Sequence, residues 1–388
     1  MTQLARSRNQ STLVGVLCLL VIFIILVAGL WPFRAPRNEV AWLPNTDGLF
    51  FGRHGSIVSI GAFPAGSADG QASGTLEIAL EPARSQGRKT ILAFDGANDR
   101  RGSFSLQQDG HALIVHRLNI DGTGVSRLAE TAIDGVLAAN KAVVVTIVLA
   151  PTETSVYLDG VPIGKSRIDG MVTGGFAGRL ILANALTASD SWSGKITGLV
   201  LYQNPLTPAQ VSQHLREWTP GRLPSYENDA PQLALYRFNE RAGNVIHNER
   251  SAATDLVMPA RYFVLHPEFL SLPWLHYHRT WLYWEDVAVN IAGFVPFGFL
   301  LSAYFSAARA SRHPAALVIV LGFATSLFIE ILQAYLPTRD SGVNDLITNT
   351  LGTACGVAVF RSAAIRTILS RMPFLKRNLS FAPHGQTA

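Results

Sequence analysis

The fold is decided by residues 281–360, whose first apolar segment reads Asp286-Val-Ala-Val-Asn290-Ile-Ala-Gly-Phe-Val-Pro-Phe-Gly298. A second apolar segment runs from about His313 to Leu336, and a third begins Asn344-Asp345-Leu-Ile-Thr-Asn349. We predict that all three are membrane-spanning helices. An ionisable group at the centre of such a helix costs roughly 2.5–3.5 kcal/mol on insertion scales, so these residues are expected to face a bundle interior or a water-filled cavity.

The polar residues of these segments recur at intervals of three and four, which places each set on one face of its helix. Glycines at 352 and 356 continue the polar face of the third segment and would let a neighbouring helix approach closely. Three helices with one polar stripe each are expected to turn those stripes towards one another. The candidate polar pocket therefore comprises Asp286, Asn290, Ser326, Glu330, Gln333, Arg339, Asp345 and Asn349.

The composition supports a membrane protein. Only 15% of the 388 residues are charged and 48% are hydrophobic, whereas soluble domains carry about 25% charged residues. The net charge of +5 is best explained by membrane topology, because the basic residues do not cluster with aromatic residues on a soluble surface. We therefore expect no nucleic-acid partner. The two cysteines fall in predicted spans, so no disulfide framework is expected.

The N-terminus predicts a first membrane helix. Residues 1–12 are polar and are assigned to the cytoplasm, and residues 13–31 are uncharged and apolar. About 20 such residues cross a bilayer core. A cleaved signal peptide is the competing interpretation, but its apolar core is usually about 7–15 residues long and is followed by small residues. This run is longer and ends in Leu30-Trp31-Pro32, which favours a retained anchor.

From Arg34 to about Pro231 the pattern changes to an alternation of period two, which predicts short strands, and the β-domain is assigned to residues 34–260. Asp-Gly pairs such as Asp159-Gly160 separate these strands and favour tight hairpin turns. Many short strands with little helix predict an all-β sandwich. One helix is expected to begin after Thr207, which suits an N-cap, with Pro208 at its first position.

The chain is thus predicted to be multi-domain, with about four spans. Residues 261–284 are rich in Trp and Tyr and suit a membrane interface; residues 285–361 hold the second to fourth helices; residues 362–388 form a cytoplasmic tail. Basic residues flank one side of every predicted span: Arg6, Arg8, Arg309, Arg312, Arg361, Arg366, Arg371, Lys376 and Arg377. By the positive-inside rule, both termini are cytoplasmic and the β-domain lies outside.

Several strand segments carry a resemblance to a known fold. Tyr157-Leu-Asp159-Gly160 and the following strands, with Trp192-Ser-Gly194-Lys-Ile-Thr-Gly-Leu-Val-Leu-Tyr202 before the surface helix, resemble the second half of a concanavalin A-like (laminin-G-like) jelly roll. The resemblance implies a sandwich of that type. It does not specify a ligand.

The three C-terminal segments resemble the VanZ-like membrane family. The resemblance rests on Asp286…Asn290-Ile-Ala-Gly-Phe-Val-Pro-Phe-Gly298, Ser326…Glu330…Gln333…Arg339 and Asp345…Asn349…Gly352…Gly356. It implies a bacterial inner-membrane helical unit with the β-sandwich inserted in its first outer loop. It also implies a place in envelope or exopolysaccharide biology, or a contribution to glycopeptide resistance, without implying a reaction.

Two interpretations of the polar set remain open. The set can act as structural glue that assembles the bundle, or it can form a site. Paired carboxylates near an outer surface can perform general acid/base chemistry or bind a cation, and Arg339 suits an anionic head group. The chain is then either a binding or assembly factor, or a membrane enzyme or transporter acting on a lipid-linked or peptidoglycan-related substrate. Its enzymatic status stays open.

The sandwich offers weaker candidates. Trp192 and Tyr157 are possible stacking partners for a glycan, and an envelope protein is the alternative partner. Asp95, Asp99 and Asp121 are possible calcium ligands, although turn chemistry explains them equally well. His276 and His278 are assigned to the interfacial aromatic belt, and we predict no metal centre. The Glu-x-Asp-x-x-Glu strand of concanavalin-like glucanases is absent from the sequence, which argues against glycoside hydrolysis.

Overall fold

The computed structural model divides into two compact units. One unit combines Met1–Arg34 with Glu268–Ala388, and the other is Ala35–Pro267. The model describes residues 2–64, 73–85, 87–96, 103–120, 126–167, 171–172, 175–187, 190–218, 231–272, 281–308, 313–363, 365 and 367. The predicted histidine pair His276/His278, the aspartates Asp99 and Asp121, and most of the tail 362–388 lie outside these residues, as do the basic residues Arg309, Arg312, Arg366, Arg371, Lys376 and Arg377.

The helices supply the first unit and one element of the second. They are α1 (Thr2–Leu30), α2 (Pro208–Glu217), α3 (Trp281–Ala308), α4 (Pro314–Gln333) and α5 (Val343–Arg361). Among the described residues, three stretches are long and apolar enough to cross a membrane: Thr12–Leu30, Tyr283–Ser306 and Pro314–Gln333. The fourth predicted span corresponds to α5, whose Thr and Asn residues lower its hydropathy, and it stays a prediction.

The N-terminal helix α1 packs against the C-terminal helices of the same unit. Cys18 and Ile25 of α1 are buried in one apolar cluster with Phe294 and Phe297 of α3 and Ile329 of α4. α1 therefore joins the same bundle as α3 and α4, although the whole β unit separates them in the sequence. Burial between helices accounts for only part of the long apolar runs, because side chains such as Leu19 and Phe23 of α1 stay exposed. A helix that is apolar on every side suits a membrane span.

The second unit is built from strands. They are β1 (Val40–Trp42), β2 (Leu49–Phe51), β3 (Ile57–Ser59), β4 (Gly74–Pro82), β5 (Arg88–Phe94), β6 (Phe104–Asp109), β7 (Ala112–Ile120), β8 (Ser126–Ile133), β9 (Val143–Ala150), β10 (Glu153–Leu158), β11 (Val161–Arg167), β12 (Met171–Val172), β13 (Leu180–Leu182), β14 (Gly194–Tyr202), β15 (Gln232–Tyr236), β16 (Val245–Ile246) and β17 (Leu256–Val257). This all-β content confirms the class predicted for this part of the chain.

The strands form two sheets that face each other. The eight-stranded sheet has the order β1-β2-β14-β4-β9-β10-β11, with β15 also paired to β14. The nine-stranded sheet has the order β12-β7-β6-β5-β13-β3-β17-β16, with β8 also paired to β7. Alternate side chains of both sheets, such as Leu76, Ile78, Leu92 and Phe94, fill one core between them.

The Asp159-Gly160 turn shows why this dipeptide predicts a hairpin. It joins β10 to β11, which pair antiparallel. Asp159 has φ of 46° and Gly160 has φ of 72°. Left-handed conformations at both central positions define the type I′ turn that matches strand twist, and Asp-Gly is among the sequences that tolerate it best.

Helix α2 lies on the outer face of the eight-stranded sheet. The Thr207 hydroxyl accepts from the Gln210 N–H, the Gln210 side chain accepts from the Thr207 N–H, and Pro208 opens the helix. This capping box confirms the predicted helix start. Val211 of α2 is buried against Tyr157 and Tyr202 of the sheet. The outer face of this sheet is therefore partly apolar where α2 covers it, with Val148 of β9 and Val200 of β14 in the same cluster.

A buried arginine joins the two sheets. Arg117 on β7 is 1% exposed. Its guanidinium donates across the sandwich to the carbonyl oxygens of Ala150 and Glu153 at 3.0 Å and to the Thr154 hydroxyl at 3.1 Å. Burial lowers the pKa of Arg117 to about 10, so the charge is costly and these hydrogen bonds offset that cost.

Candidate functional site

The polar residues of the helical unit link its helices in pairs. Asn290 of α3 donates to the Asp345 carboxylate of α5 at 3.0 Å. Asn349 of α5 donates to the Ser326 hydroxyl of α4 at 3.0 Å. Each bond joins side chains that the sequence places on polar helix faces. In an apolar medium such bonds hold helices together, because their loss would leave polar groups without partners.

Glu330 belongs to α4, and its carboxylate lies at the N-terminus of α5. The Gly342 N–H donates to its Oε2 at 2.8 Å, Gly342 is the N-cap of α5, and the Ser341 hydroxyl lies within hydrogen-bonding range of the same carboxylate. The residue is 1% exposed. A carboxylate at this place satisfies a free backbone N–H and complements the positive end of the helix dipole.

Arg339 and Gln333 bind the end of α1. The Arg339 guanidinium donates to the carbonyl oxygens of Ala28 at 3.2 Å and of Trp31. The Gln333 amide donates to the Gly29 carbonyl oxygen at 2.9 Å. These are carbonyls that a helix C-terminus leaves unpaired, and a cation is favoured there. The predicted role of Arg339 in holding an anionic head group therefore competes with a structural role at α1.

The acidic residues lie near one another. Glu330 is within electrostatic range of both Asp286 and Asp345, and Asp345 is within range of Asp286 and Arg339. Asp286 is exposed and Asp345 is half-buried. Three neighbouring carboxylates, of which Asp286 and Asp345 are in range of the Arg339 guanidinium, favour a bound cation, a protonated guest or a shared proton.

Three buried oxygens in this region have no hydrogen-bond partner among the described residues. They are Asn349 Oδ1, Gln333 Oε1 and Thr338 Oγ1. Ser326 and Asn349, which lie one helical turn further along the polar faces, are both buried. Buried polar atoms without partners are uncommon in folded proteins and call for a specific explanation, such as a bound water or ligand.

Close backbone approach holds α3 against α5. A methyl group added at Gly298 would lie 2.1 Å from the Thr353 carbonyl oxygen. One added at Gly352 would lie 2.3 Å from the Ile291 carbonyl oxygen, and one at Gly356 would lie 2.2 Å from that of Val295. The predicted close approach at residues 352 and 356 is thus confirmed, with Gly298 as the reciprocal residue on α3.

The two aromatic side chains predicted to stack on a glycan are buried in the sandwich. Trp192 is 1% exposed and Tyr157 is 7% exposed. Trp192 belongs to the core between the sheets and donates its indole N–H to Gln108 at 2.7 Å. Tyr157 is covered by α2. Neither ring presents a face to solvent. The sequence pattern did not predict this, because it does not distinguish a core aromatic residue from a surface one.

The calcium ligands predicted for the sandwich are not assembled in the described part of the chain. Asp95 Oδ2 lies 3.2 Å from His266 Nε2. No group of three or more His, Cys, Asp or Glu side chains within the described ranges could hold a metal ion. Calcium binding through Asp99 or Asp121 stays a prediction.

A buried polar cluster under α2 was not predicted. His214 Nδ1 of α2 lies 3.2 Å from the Glu77 carboxylate of β4, and the Tyr202 hydroxyl donates to the same carboxylate at 3.2 Å. Trp218 adds its indole N–H at 3.3 Å. The sequence contains only a weak indication of this cluster. Glu77 occupies an outward-facing position of its strand, where a charged residue is expected, and the sequence does not show that α2 covers it.

Comparison with known proteins finds two family models that match, each over less than half of the chain. Residues 233–366 match the VanZ/LLP1 family. Residues 59–212 match the Laminin_G_3 family of the concanavalin A-like lectin/glucanases superfamily. The VanZ/LLP1 match begins at β15 in the β unit and extends past α5, so it includes all eight candidate pocket residues. The chain therefore contains a region that matches the VanZ/LLP1 family and a region that matches the concanavalin A-like superfamily, and its long apolar helices suggest a membrane protein.

Solved structures resemble the chain at low identity. A putative carbohydrate-binding protein from Bacteroides ovatus is 15% identical with a TM-score of 0.39, and the match covers 55% of this chain and 58% of that one, less than two thirds of its length. The Ruminococcus gnavus IT-sialidase CBM40 bound to α2,3-sialyllactose is 13% identical with a TM-score of 0.31, and the match covers 37% of this chain and 82% of that one. No curated protein matches significantly.

Proposed function

We propose that this VanZ-like protein resides in the bacterial inner membrane and binds a glycan of the cell envelope through a periplasmic concanavalin A-like domain. The observation that carries this proposal is the insertion. A domain matching a lectin/glucanase superfamily lies in the sequence between α1 and α3, and those two helices pack in one apolar bundle. Such an arrangement tethers a binding domain to the membrane through both of its ends.

The orientation follows from the basic residues. Arg6 and Arg8 precede the apolar part of α1, and Arg361 ends α5. Positive residues next to spans favour the cytoplasmic side. The inserted domain then lies in the periplasm, where surface polysaccharide and peptidoglycan precursors are available. An envelope protein is the alternative partner of the domain.

Glycan binding by the full-length protein tests this proposal. The purified chain in detergent is applied to an array of bacterial surface polysaccharides and peptidoglycan fragments. We expect at least one glycan class to bind, with weak affinity in the micromolar to millimolar range. A folded chain that retains none of these glycans, but captures an envelope protein, would contradict a glycan role and favour the alternative partner.

The polar cluster supports a second candidate function. Asp286 and Asp345 lie within electrostatic range of the Arg339 guanidinium and of Glu330. Three buried oxygens of the same helical unit have no hydrogen-bond partner among the described residues. Such a site suits an enzyme or transporter that handles a lipid-linked or peptidoglycan-related substrate, or a contributor to glycopeptide resistance. Loss of phenotype without loss of protein on replacing Glu330 by glutamine would favour it.

A further inference from the structure

An open groove lies beside α2 on the outer face of the eight-stranded sheet. It has a volume of about 410 Å³, within the roughly 300–1,000 Å³ of typical ligand pockets. Its floor includes Glu81 of β4 and Lys195 and Thr197 of β14, and its walls include Asp159 of the β10–β11 turn and Trp218 after α2. The groove lies entirely in the β unit and is separate from the polar cluster of the helices.

The Trp218 wall is held in one orientation by the buried cluster under α2. Its indole N–H donates to Glu77 at 3.3 Å, and Glu77 is itself bonded by Tyr202. The Trp218 backbone N–H also donates to the His214 carbonyl oxygen at 3.1 Å, which caps α2. A tryptophan fixed by both its backbone and its indole offers a preorganised apolar wall at little cost in side-chain entropy.

The groove floor carries alternating donors and acceptors. Lys195 Nζ lies 2.8 Å from Glu81 Oε1, and both side chains are partly exposed. Asp159 is exposed, and its Oδ1 accepts the Val144 N–H at 2.8 Å, which fixes the carboxylate at the rim. Two carboxylates and one ammonium leave the lining with a net negative charge.

We propose that this groove binds a neutral pyranose unit of a glycan. A sugar ring has one C–H-rich face, which fits against an indole, and vicinal hydroxyls, which pair with charged donors and acceptors through strong hydrogen bonds. The net negative lining disfavours uronic and sialic acids, because a second carboxylate would be brought next to Glu81 and Asp159. The inference rests on the proposed glycan-binding function and assigns its site and sugar class.

Two variants of the full-length protein test the site. Lys195→Met removes the ammonium from the floor, and Thr197→Trp fills the groove without touching the buried cluster. Lys165→Met is the matched control. Lys165 lies on β11 of the same sheet and makes a similar ion pair, 2.7 Å long, with Glu153 of β10. Thermal melting of each purified variant checks that it folds.

The probes are neutral hexose and N-acetylhexosamine tetrasaccharides and a uronate tetrasaccharide, titrated by calorimetry. We expect the neutral probes to bind. Both groove variants should weaken that binding roughly tenfold or more, because one removes a hydrogen bond from a charged donor and the other fills the groove. Lys165→Met should leave the affinity unchanged.

The possible outcomes separate the two proposals. Wild-type affinity in both folded groove variants would overturn the groove assignment while leaving glycan binding intact. Preference for the uronate probe would overturn the assigned sugar class. If the wild-type protein binds none of the probes, the groove assignment fails; if it also retains no glycan on the envelope array, the proposed function fails with it.

Discussion

Replacing Gly298 by alanine should lower the free energy of unfolding of the helical unit by roughly 2–3 kcal/mol, the cost of overpacking a close contact. The added methyl group would lie 2.1 Å from the Thr353 carbonyl oxygen. That oxygen belongs to the backbone of α5 and cannot rotate away as a side chain can. The two helices must separate, which also stretches the Asn290–Asp345 and Asn349–Ser326 hydrogen bonds.

Gly293 provides the matched control on the same helix. A methyl group added there would meet nothing within 4 Å, and alanine is favoured over glycine in a helix interior by up to about 1 kcal/mol. Gly293→Ala should therefore be neutral or slightly stabilising. Thermal melting of the purified full-length protein in detergent, with membrane abundance as a second readout, compares the two. Equal melting temperatures for both variants would show that α3 and α5 are not in close contact.

Replacing Glu330 by alanine should sharply reduce the amount of protein in the membrane. The change leaves the Gly342 N–H at the start of α5 without its acceptor, and a buried unpaired donor costs about 1–3 kcal/mol. Glu330→Gln differs, because its amide oxygen can still accept that N–H while the negative charge is gone. The glutamine variant should therefore keep a normal membrane level.

The phenotype of Glu330→Gln then separates the two interpretations of the polar cluster. If the cluster acts on a substrate, the glutamine variant should be abundant but should lose the envelope or exopolysaccharide phenotype of the wild type. If the carboxylate only organises the start of α5, the variant should be abundant and functional. Glu285→Gln is the control, since Glu285 is an exposed carboxylate on α3. A phenotype in that control would show that any loss of charge in this region is harmful.

Much of the architecture could be predicted because it leaves a periodic trace. Strand β6 alternates between buried and partly exposed positions, and β9 is an almost continuous run of β-branched and apolar residues. The Thr207-Pro208 start of α2 carries its own capping residues. Strands β1 to β3 have three residues each, too few for a pattern. Among the described strands, β8 is paired with β7 alone. Edge strands often carry small or polar residues, so the sequence of β8 does not stand out as a strand.

The partners of polar residues could not be predicted in the same way. Helical spacing placed Glu330 and Asp345 on polar faces, but it cannot show that Glu330 receives the N–H of Gly342 or that Arg339 binds the end of α1. The partners of Arg117 in the sandwich could not be predicted either, because its acceptors, the carbonyl oxygens of Ala150 and Glu153, belong to a hairpin that is distant in the sequence. Spacing determines which face a residue occupies, whereas tertiary packing determines what it meets.

Labelling of single cysteines tests most directly whether a periplasmic binding domain is inserted into a bundle of membrane helices. In a chain with Cys18 and Cys355 replaced by alanine, cysteine is introduced at Val161, which is 60% exposed in the sandwich, or at Ser362, after α5. We predict that a membrane-impermeant maleimide labels the Val161→Cys protein in intact spheroplasts and the Ser362→Cys protein only after lysis. Labelling of the sandwich cysteine only after lysis would place the domain in the cytoplasm and contradict the account.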